Sequence, residues 1–414
     1  MICLRKSVIA AFFVFLLAAC QSAERQDDSV TVSIGKKYTL FSESLDQKRE
    51  YFVHLPDSYH DKSYSNPHYP VLYVLDGGPE YLLTTIEVIG YGSNFYGGYR
   101  VPEPIIVAIP TGDPHRTRDL TPTHSTTDPE AHDWTDLDTS GGGERFLHFL
   151  KDELVPEIDS KYRTLPHRTL VGHSLGGLFA LYTLLEAPEI FDAYVAIDPS
   201  VWWDDALLVR QAEQVLHNDQ SRHASLYISL ANRDPFNPLP GMSPAIRAFA
   251  AVLSDNTNSN IRSELQHFPS EDHTSVFLVS LYYGLLSVYE VYWGLKIDDV
   301  IEQPTLVAEH FEQLSSQIDI SRLPPELYVD GLASRLLWLD KQAQAIELFK
   351  MNVANYPESA NVYMSLGDAF EKFGNARLAI ENYEKGLLIY PDHAWAKWIR
   401  ENSERLRAQE TASE

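Results

Sequence analysis

Six short apolar runs, separated by helical patterns, are the feature that most constrains how this 414-residue chain can fold. Each run ends in turn residues, and residues 146–158 between two of them place apolar side chains at spacings of three and four. Near-continuous apolar strands that alternate with amphipathic helices indicate a mainly parallel sheet covered on both faces. We therefore expect an α/β fold with its functional loops at the carboxyl ends of the strands. The runs are Val71–Leu75, Ile105–Ile109, Thr169–Val171, Tyr194–Ile197, Leu226–Leu230 and Ile261–Phe268.

The charge balance excludes two classes of partner. The chain has 33 Lys and Arg residues against 58 Asp and Glu residues, a formal net charge of −25. Nucleic-acid phosphates and anionic membrane surfaces are bound by clustered cations, and no Lys or Arg run here exceeds a short pair. We therefore expect a solvated, acidic surface and no nucleic-acid partner.

The N-terminus has the pattern of an export signal. A basic start is followed by an apolar run over residues 7–19, which is too short to span a bilayer as a stable helix. Leu17–Cys20 resembles the bacterial lipobox, which implies cleavage before Cys20 and diacylation of its thiol. Apart from Cys20 the chain has only Cys3, so the mature protein would contain no disulfide. Gln21 in the next position points to the outer membrane by the usual sorting pattern.

We therefore expect a lipid-anchored protein of the bacterial cell envelope, held at the outer membrane and facing the periplasm. Two or three acyl chains are enough for stable anchoring. An ordinary signal peptide or an uncleaved anchor is the alternative, because small residues before a cleavage site are common to all signals.

A 34-residue period distinguishes the C-terminal part. Pro357 recurs as Pro391, and Phe349 recurs as Tyr383. The period and its markers resemble the tetratricopeptide repeat, with a good match over residues 360–392 and a weaker one before it. Two such repeats are too few for independent stability, so we expect them to pack against the α/β part. They are interpreted as a structural cap, with a peptide-binding or dimer groove as the alternative.

The domain boundaries follow these changes of pattern. We assign residues 1–19 to the signal peptide, 20–29 to a polar tether and 30–300 to the α/β domain. Residues 301–324 form a helical linker, and residues 325–409 form the repeats with a closing helix.

The segment Gly172–Gly176 (Gly-His-Ser-Leu-Gly) matches the G-x-S-x-G nucleophile elbow. A short strand precedes it and a helical run over residues 177–185 follows, and this context makes the match specific. The turn is so tight that a side chain at either glycine would collide with neighbouring backbone. It raises the hydroxyl of Ser174 above the sheet and points a helix N-terminus at it. We therefore predict Ser174 as a nucleophile, and we expect the neighbouring His173 to point elsewhere.

A serine hydroxyl is a poor nucleophile until a base takes its proton. His273 is the predicted base, because it follows the last predicted strand and the histidine comes last in the chain order of such sites. A carboxylate would fix the tautomer of the imidazole and stabilise its cation. Asp234, after the penultimate strand, is our first choice for this acid, and Asp198 and Glu271 are the alternatives.

A tetrahedral intermediate also needs backbone donors directed at its oxyanion. The N–H of Leu175, directly after the nucleophile, is the first predicted donor. The second should come from the loop after the first apolar run, where Gly78 is our choice and Gly77 the reserve. An ordinary turn at the strand end is the alternative interpretation.

Four motifs in order resemble the "putative esterase" (esterase D-like) family. They are Tyr69–Gly78, Arg116–Pro122, Gly172–Ala180 and Asp198–Trp203. The family includes S-formylglutathione hydrolase, feruloyl esterases and the trilactone esterases that open catecholate siderophores, and the likeness covers about residues 30–295. It implies an α/β-hydrolase fold with the nucleophile, base and oxyanion donors at the positions above. Some siderophore esterases are described as working with a Ser–His pair alone, which leaves the acid open.

The resemblance also implies substrate contacts. The Arg-x-Arg-Asp-Leu-Thr-Pro stretch is most similar to the trilactone-esterase branch, where Arg116 or Arg118 would hold a phenolate or carboxylate through a planar fork. A structural pairing of Arg118 with Asp119 is the alternative. Trp202 and Trp203 would stack on an aromatic acyl group or belong to the core.

Taken together, the sequence predicts a serine carboxylic-ester hydrolase of the cell envelope that forms an acyl-enzyme on Ser174. Siderophore or other aromatic acyl esters are the expected substrates, and no cofactor or metal is expected. One alternative is a non-catalytic envelope scaffold that binds a protein partner through the repeats. Another serine acyl-transfer reaction, such as thioester or peptide cleavage, is a further alternative.

Overall fold

The computed structural model describes residues 33–93, 100–112, 114–126, 137–218, 223–232, 242–256, 260–317 and 323–413. The predicted signal peptide, Cys20 and Asp234 lie outside these residues. Among the helices in the described ranges, none has the length and apolar composition needed to cross a membrane.

A central sheet of eight strands has the order β1-β2-β4-β3-β5-β6-β7-β8. The strands are β1 (Lys36–Ser42), β2 (Gln47–His54), β3 (Tyr69–Leu75), β4 (Ile105–Ile109), β5 (Thr164–His173), β6 (Ala193–Ile197), β7 (His223–Ala231) and β8 (Asn260–Phe268). β2 pairs antiparallel with both β1 and β4, and the other five pairings are parallel. The six apolar runs all lie in β3 to β8, which confirms the predicted mainly parallel sheet.

Helices connect the strands. They are α1 (Pro79–Ser93), α2 (Arg116–Leu120), α3 (Gly143–His148), α4 (Val155–Lys161), α5 (Leu175–Glu186), α6 (Trp203–Asn218), α7 (Met242–Asp255) and α8 (Val276–Trp293). A π-helical segment, Phe149–Leu154, joins α3 to α4, and short 3-10 helices lie at Asp57–His60 and Leu137–Thr139.

The two faces of the sheet are covered by different helices. Alternate residues of a strand point to opposite faces. On one face, Tyr194 of β6 belongs to the same buried cluster as Leu178 of α5. On the other, Val195 lies against Gly284 of α8, where a Cβ would come within 2.5 Å of the valine side chain. The helices therefore bury both faces of the strands, as the continuous apolar runs predicted.

The carboxyl ends of the parallel strands meet at one edge of the sheet. Asp76 directly follows β3, Ser174 follows β5 and Asp198 follows β6, and the loop containing His273 follows β8. Three of these turn residues have left-handed backbone, with φ of 54° at Asp76, 60° at Ser174 and 38° at Asp198. Non-glycine residues adopt this conformation at a cost of about 1–3 kcal/mol, so the surrounding structure must hold these turns.

The C-terminal region is entirely helical in its described residues. Its helices are α9 (Ile297–Glu302), α10 (Leu306–Gln317), α11 (Glu326–Trp338), α12 (Gln342–Asn355), α13 (Ala360–Lys372), α14 (Ala376–Ile389) and α15 (Ala396–Ser413). Small residues let α13 and α14 approach closely, since a Cβ at Gly367 would lie 2.6 Å from the ring of Tyr383. This region has its own buried apolar cluster, as the predicted helical repeats require.

The repeats pack against the α/β part through a polar contact centred on Glu326. This carboxylate is only 2% exposed. Its Oε2 accepts from the backbone N–H of Ser65 at 3.0 Å and from the Ser65 hydroxyl at 2.6 Å, and its Oε1 accepts from the Ser359 hydroxyl at 2.5 Å. The carbonyl of Ser63 accepts from the N–H of Asn361 at 2.9 Å. A segment of the α/β domain is therefore bound by the first residues of α11 and α13.

We predict that Glu326→Ala destabilises the whole chain. The substitution removes the acceptor of the partly buried N–H and hydroxyl of Ser65, at a cost of about 1–3 kcal/mol for each unsatisfied group. The buried hydroxyl of Ser359 loses the carboxylate but can still donate to the carbonyl of Ser63 at 2.9 Å. Glu358→Ala is the control, because this glutamate of the same region is exposed, and we expect it to change stability by at most about 0.5 kcal/mol. Urea denaturation followed by circular dichroism measures both, and equal effects of the two substitutions would contradict the prediction.

Candidate active site

The predicted elbow is present between β5 and α5. Ser174 has φ 60° and ψ −118°, and its backbone N–H donates to the carbonyl of Ile197 at 3.0 Å. A Cβ at position 172 would lie 2.1 Å from the carbonyl oxygen of Gly176, so only glycine fits there. The strained turn is thus held by the neighbouring strand and places Ser174 at the N-terminus of α5, as the sequence predicted.

His273 is bound to a carboxylate. Its Nδ1 lies 2.7 Å from Oδ2 of Asp198, and because the carboxylate can only accept, Nδ1 carries the proton. The other ring nitrogen, Nε2, is then the one that can accept a proton. Asp198 is 2% exposed, and its Oδ1 accepts from the N–H of Ala231 at 2.9 Å. Its own N–H donates to the Ser229 hydroxyl at 3.1 Å. β7 therefore fixes one carboxylate oxygen and the backbone N–H of Asp198, while His273 binds the other carboxylate oxygen.

This geometry revises the predicted acid. Our first choice, Asp234, lies outside the described residues. Of the two alternatives, Asp198 contacts His273. The backbone of Glu271 forms the turn before His273 and accepts from the N–H of Asn232 at 2.8 Å. The sequence contained a usable signal for Asp198, because this residue ends a fully buried strand that neighbours the strand of Ser174.

Ser174 and His273 line one open cavity of 480 Å³. The wall contains polar and aromatic side chains as well as backbone. The lining residues are Asp76, Gly78, Tyr81, Pro110, Thr111, Gly112, Arg116, His173, Ser174, His273 and Thr274. The Ser174 hydroxyl also lies 3.4 Å from the hydroxyl of Ser200, a buried residue in the turn after β6.

The predicted oxyanion donors occupy different positions. Leu175 is the first residue of α5, so its N–H is in the helical turn that has no intrahelical acceptor. Gly78 lines the cavity, but its N–H donates to the carbonyl of Asp76 at 2.8 Å in a tight three-residue turn. The reserve, Gly77, donates to the carbonyl of Ile109 at 2.9 Å and continues the sheet. The N–H of Gly78 can therefore donate to an oxyanion only if it first breaks its hydrogen bond to the carbonyl of Asp76.

The two predicted substrate-binding arginines differ in their surroundings. Arg116 lines the cavity, where its Nε and Nη2 donate to the two carboxylate oxygens of Asp76 at 3.0 and 2.9 Å. Thr111 also donates to this carboxylate. Arg116 and Asp76 thus form an ion pair at the cavity wall, and the planar fork of Arg116 is engaged by the Asp76 carboxylate.

Arg118 does not line the cavity. Its Nε donates at 2.7 Å to Asp119, whose carboxylate also binds the buried Arg49 at 2.5 Å. The structural pairing considered from the sequence is therefore the correct interpretation of Arg118. A carboxylate shared by two guanidinium groups ties α2 to β2 rather than binding a ligand.

Trp202 and Trp203 are core residues rather than a stacking surface. They are 4% and 0% exposed and belong to the buried cluster of the α/β domain. The indole N–H of Trp203 donates to the carbonyl of Thr123 at 3.2 Å. Their place at a strand end suggested an aromatic subsite, but the following turn directs both rings into the protein.

His173 lies in the site, contrary to the prediction from the sequence. We expected it to point away from the site, but it lines the cavity, with its ring centroid 4.6 Å from that of His273. Its Nε2 lies 2.7 Å from the carbonyl oxygen of His273. The sequence position of His173 beside the nucleophile was a signal that it lies near the site. Its contact with His273 depends on where the loop after β8 lies, which the sequence does not show.

Known proteins share this sequence pattern and fold. A sequence profile of the family described as "Putative esterase" matches residues 42–282. The ferri-bacillibactin esterase BesA of Bacillus subtilis (strain 168) is 31% identical over 218 residues, which is 51% of this chain and 75% of that protein. The siderophore triacetylfusarinine C esterase of Aspergillus fumigatus is 28% identical over 271 residues, 58% of this chain and 87% of that protein. An IroE-like serine hydrolase from Shewanella oneidensis superposes with a TM-score of 0.66 at 28% identity, over 77% of this chain and 98% of that one.

We predict that Asp198→Asn lowers kcat for p-nitrophenyl butyrate by about 100- to 10,000-fold. An amide in place of the carboxylate no longer selects the tautomer of His273 or stabilises its cation. Glu271→Gln is the matched control, because its side chain was the competing candidate, and its rate should stay within about twofold of the parent. A rate for Asp198→Asn within tenfold of the parent would show that Ser174 and His273 act as a pair.

Proposed function

The chain belongs to the family described as "Putative esterase" and is a carboxylic ester hydrolase, and from that premise we propose that it acts through an acyl-enzyme on Ser174. Membership confirms the resemblance inferred from the four motifs, and with it the α/β-hydrolase fold. One observation carries the mechanism: an elbow serine and a histidine bound to a buried carboxylate line the same cavity.

The proposed reaction has two half-steps. His273 takes the proton of the Ser174 hydroxyl at Nε2 while the oxygen attacks the ester carbonyl carbon. The negative charge on the former carbonyl oxygen is stabilised by the N–H of Leu175 and, after it leaves Asp76, by that of Gly78. The ester C–O bond then breaks, and His273 returns the proton to the departing alkoxide. Water attacks the acyl-enzyme in the same way and releases the acid, which regenerates Ser174.

The role of Asp198 follows from its burial. A cation forming on His273 during each half-step lies 2.7 Å from a carboxylate that is largely removed from water. Screening is weak at such a position, so the carboxylate favours the imidazolium that the transition state requires. Because both Asp198 oxygens already accept hydrogen bonds, the carboxylate needs no reorganisation when the charge appears.

We propose siderophore esters as the substrate class. The relatives from Bacillus and Aspergillus are named for ferri-bacillibactin and triacetylfusarinine C, both iron-carrier esters. The cavity of 480 Å³ lies within the roughly 300–1,000 Å³ typical of small-molecule sites. Arg116 lines this cavity paired with Asp76, so it would have to exchange this partner to hold a phenolate or carboxylate of the substrate. Other aromatic acyl esters are the competing class.

The proposed location is the periplasmic face of the bacterial outer membrane, with a lipid anchor at Cys20. The support is the lipobox-like pattern of residues 17–20 and the glutamine that follows it. A diacylated cysteine is sufficient for stable membrane attachment. The product of a siderophore esterase at this site would be released into the periplasm.

We propose a cap role for the tetratricopeptide-like repeats rather than a scaffold role. The first residues of α11 and α13 bind Ser63 and Ser65 of the same chain through the buried Glu326 and through Asn361. These residues are therefore engaged by an internal segment. A scaffold also has no need of an elbow serine and a carboxylate-bound histidine in one cavity.

The proposal predicts that Ser174→Ala lowers kcat for p-nitrophenyl butyrate by at least about 1,000-fold, because it removes the attacking oxygen. Ser200→Ala is the matched control. It removes a buried hydroxyl 3.4 Å away, and its rate should stay within about fivefold of the parent. Equal rates for the parent and Ser174→Ala would refute the acyl-enzyme.

The same preparations identify the substrate class. Ferric and iron-free catecholate trilactones and a feruloyl ester are compared by chromatography and mass spectrometry of the released acid. We expect kcat/KM on a trilactone to exceed that on the feruloyl ester by about tenfold or more, corresponding to about 1.4 kcal/mol of transition-state binding. The reverse order would assign the enzyme to the other aromatic acyl esters.

A further inference from the structure

His173 is bound to the backbone of the histidine that serves as base. Its Nε2 lies 2.7 Å from the carbonyl oxygen of His273. A carbonyl oxygen can only accept, so Nε2 of His173 carries a proton and donates it. This hydrogen bond joins the elbow, which directly follows β5, to the loop after β8.

Ring contacts hold His173 in place. Its ring lies over that of His273 with a centroid distance of 4.6 Å and an interplanar angle of 35°. The edge of Phe277, in the first turn of α8, approaches from another side at 5.9 Å. Phe277 in turn packs edge-on against Tyr81 of α1 at 4.6 Å. His173 therefore packs directly against α8, and α1 supports this contact through Phe277.

The residues on either side of His273 are held mainly through their backbone. Asp272, Thr274 and Ser275 are exposed, and the Asp272 carboxylate accepts from the N–H groups of the other two at 2.8 and 2.7 Å. The carbonyl of Asp272 accepts from the N–H of Val276 in the first turn of α8 at 3.0 Å. The side chain of His273 is bound by Asp198, and its carbonyl by His173. Two contacts therefore act on His273 directly, one on its side chain and one on its main chain.

We propose that His173 is a positioning residue that holds the main chain of His273 so that its Nε2 faces Ser174. This inference rests on the proposed function, since it gives a task to His273 as base. His173 would affect the rate without touching substrate, because loss of its hydrogen bond would shift the imidazole of His273. A misplacement of about 1 Å can lower the rate by about 100-fold.

His173 is neutral in this role. Burial, followed by the positive charge that His273 would carry, lowers the pKa of His173 to about 3, and Arg116 acts in the same direction. The carboxylate of Asp198 opposes these effects. His173 therefore stays neutral over the usual assay range, with its one proton on Nε2, and does not compete with His273 for the serine proton.

Three variants of the full chain test the proposal. His173→Leu keeps similar volume without a donor, and His173→Asn keeps a polar amide that is too short to reach the carbonyl. His173→Gln carries its amide nitrogen at about the reach of the histidine Nε2. Steady-state kinetics on p-nitrophenyl butyrate, with thermal midpoints recorded for each variant, separate positioning from folding.

We expect His173→Leu and His173→Asn to lower kcat by about 30- to 100-fold with KM within about threefold, because ground-state binding does not depend on the imidazole direction. His173→Gln should recover kcat to within about fivefold of the parent. If His173→Leu fails to fold, the comparison of His173→Asn with His173→Gln decides the question.

Two outcomes would overturn this inference while leaving the proposed function intact, provided that the parent shows turnover that depends on Ser174. One is an unchanged kcat in His173→Leu and His173→Asn. The other is a loss of kcat in His173→Gln as large as that in these two variants. A parent without Ser174-dependent turnover would instead overturn the proposed function, and this inference with it. The two failures are therefore distinguishable from the same set of assays.

Discussion

The hydrogen bond between His273 and Asp198 joins the ends of β8 and β6, which are separated by β7 in the sheet. That intervening strand contributes the N–H of Ala231 and the hydroxyl of Ser229 to Asp198, so three neighbouring strand ends are locked together around one buried carboxylate. Such a carboxylate is stable only while its hydrogen bonds are made. The site therefore depends on correct pairing of these strands, and it forms only when the parallel sheet is complete.

The nucleophile lies in a strained turn that the neighbouring strand holds in place. Ser174 adopts left-handed backbone, and the end of the neighbouring β6 accepts its N–H through Ile197. Asp76 and Asp198, at two other strand ends, also have positive φ. Strain at three turns of one edge costs a few kcal/mol in total, which the large buried core on both faces of the sheet offsets. The same edge places the nucleophile, the base and the ion pair of Arg116 with Asp76 in one cavity.

The fold and the elbow were predictable because they depend on local patterns: apolar runs, helical spacing and glycine at position 172. Contacts that depend on which strands are neighbours were harder to predict from the sequence. For this reason Asp198 was ranked below Asp234, although it follows the strand that pairs with the strand of Ser174. Side-chain direction after a turn was not predictable either. Trp202 and Trp203 point into the core, Arg118 pairs with Asp119, and His173 faces His273. The contact of Glu326 with Ser65 joins residues 261 positions apart, which no local pattern encodes.

The central claim is that Ser174 is an activated nucleophile, and covalent labelling tests it most directly. The full chain is treated with a fluorophosphonate and examined by intact mass spectrometry, then digested with trypsin. Ser174 and Ser200 fall in the same tryptic peptide, since no Lys or Arg lies between Arg168 and Arg210, so fragmentation is needed to assign the label. We expect one adduct per chain, located on Ser174 and absent from Ser174→Ala. A chain that takes up no label, or that takes it up on Ser200 or another serine, would contradict it.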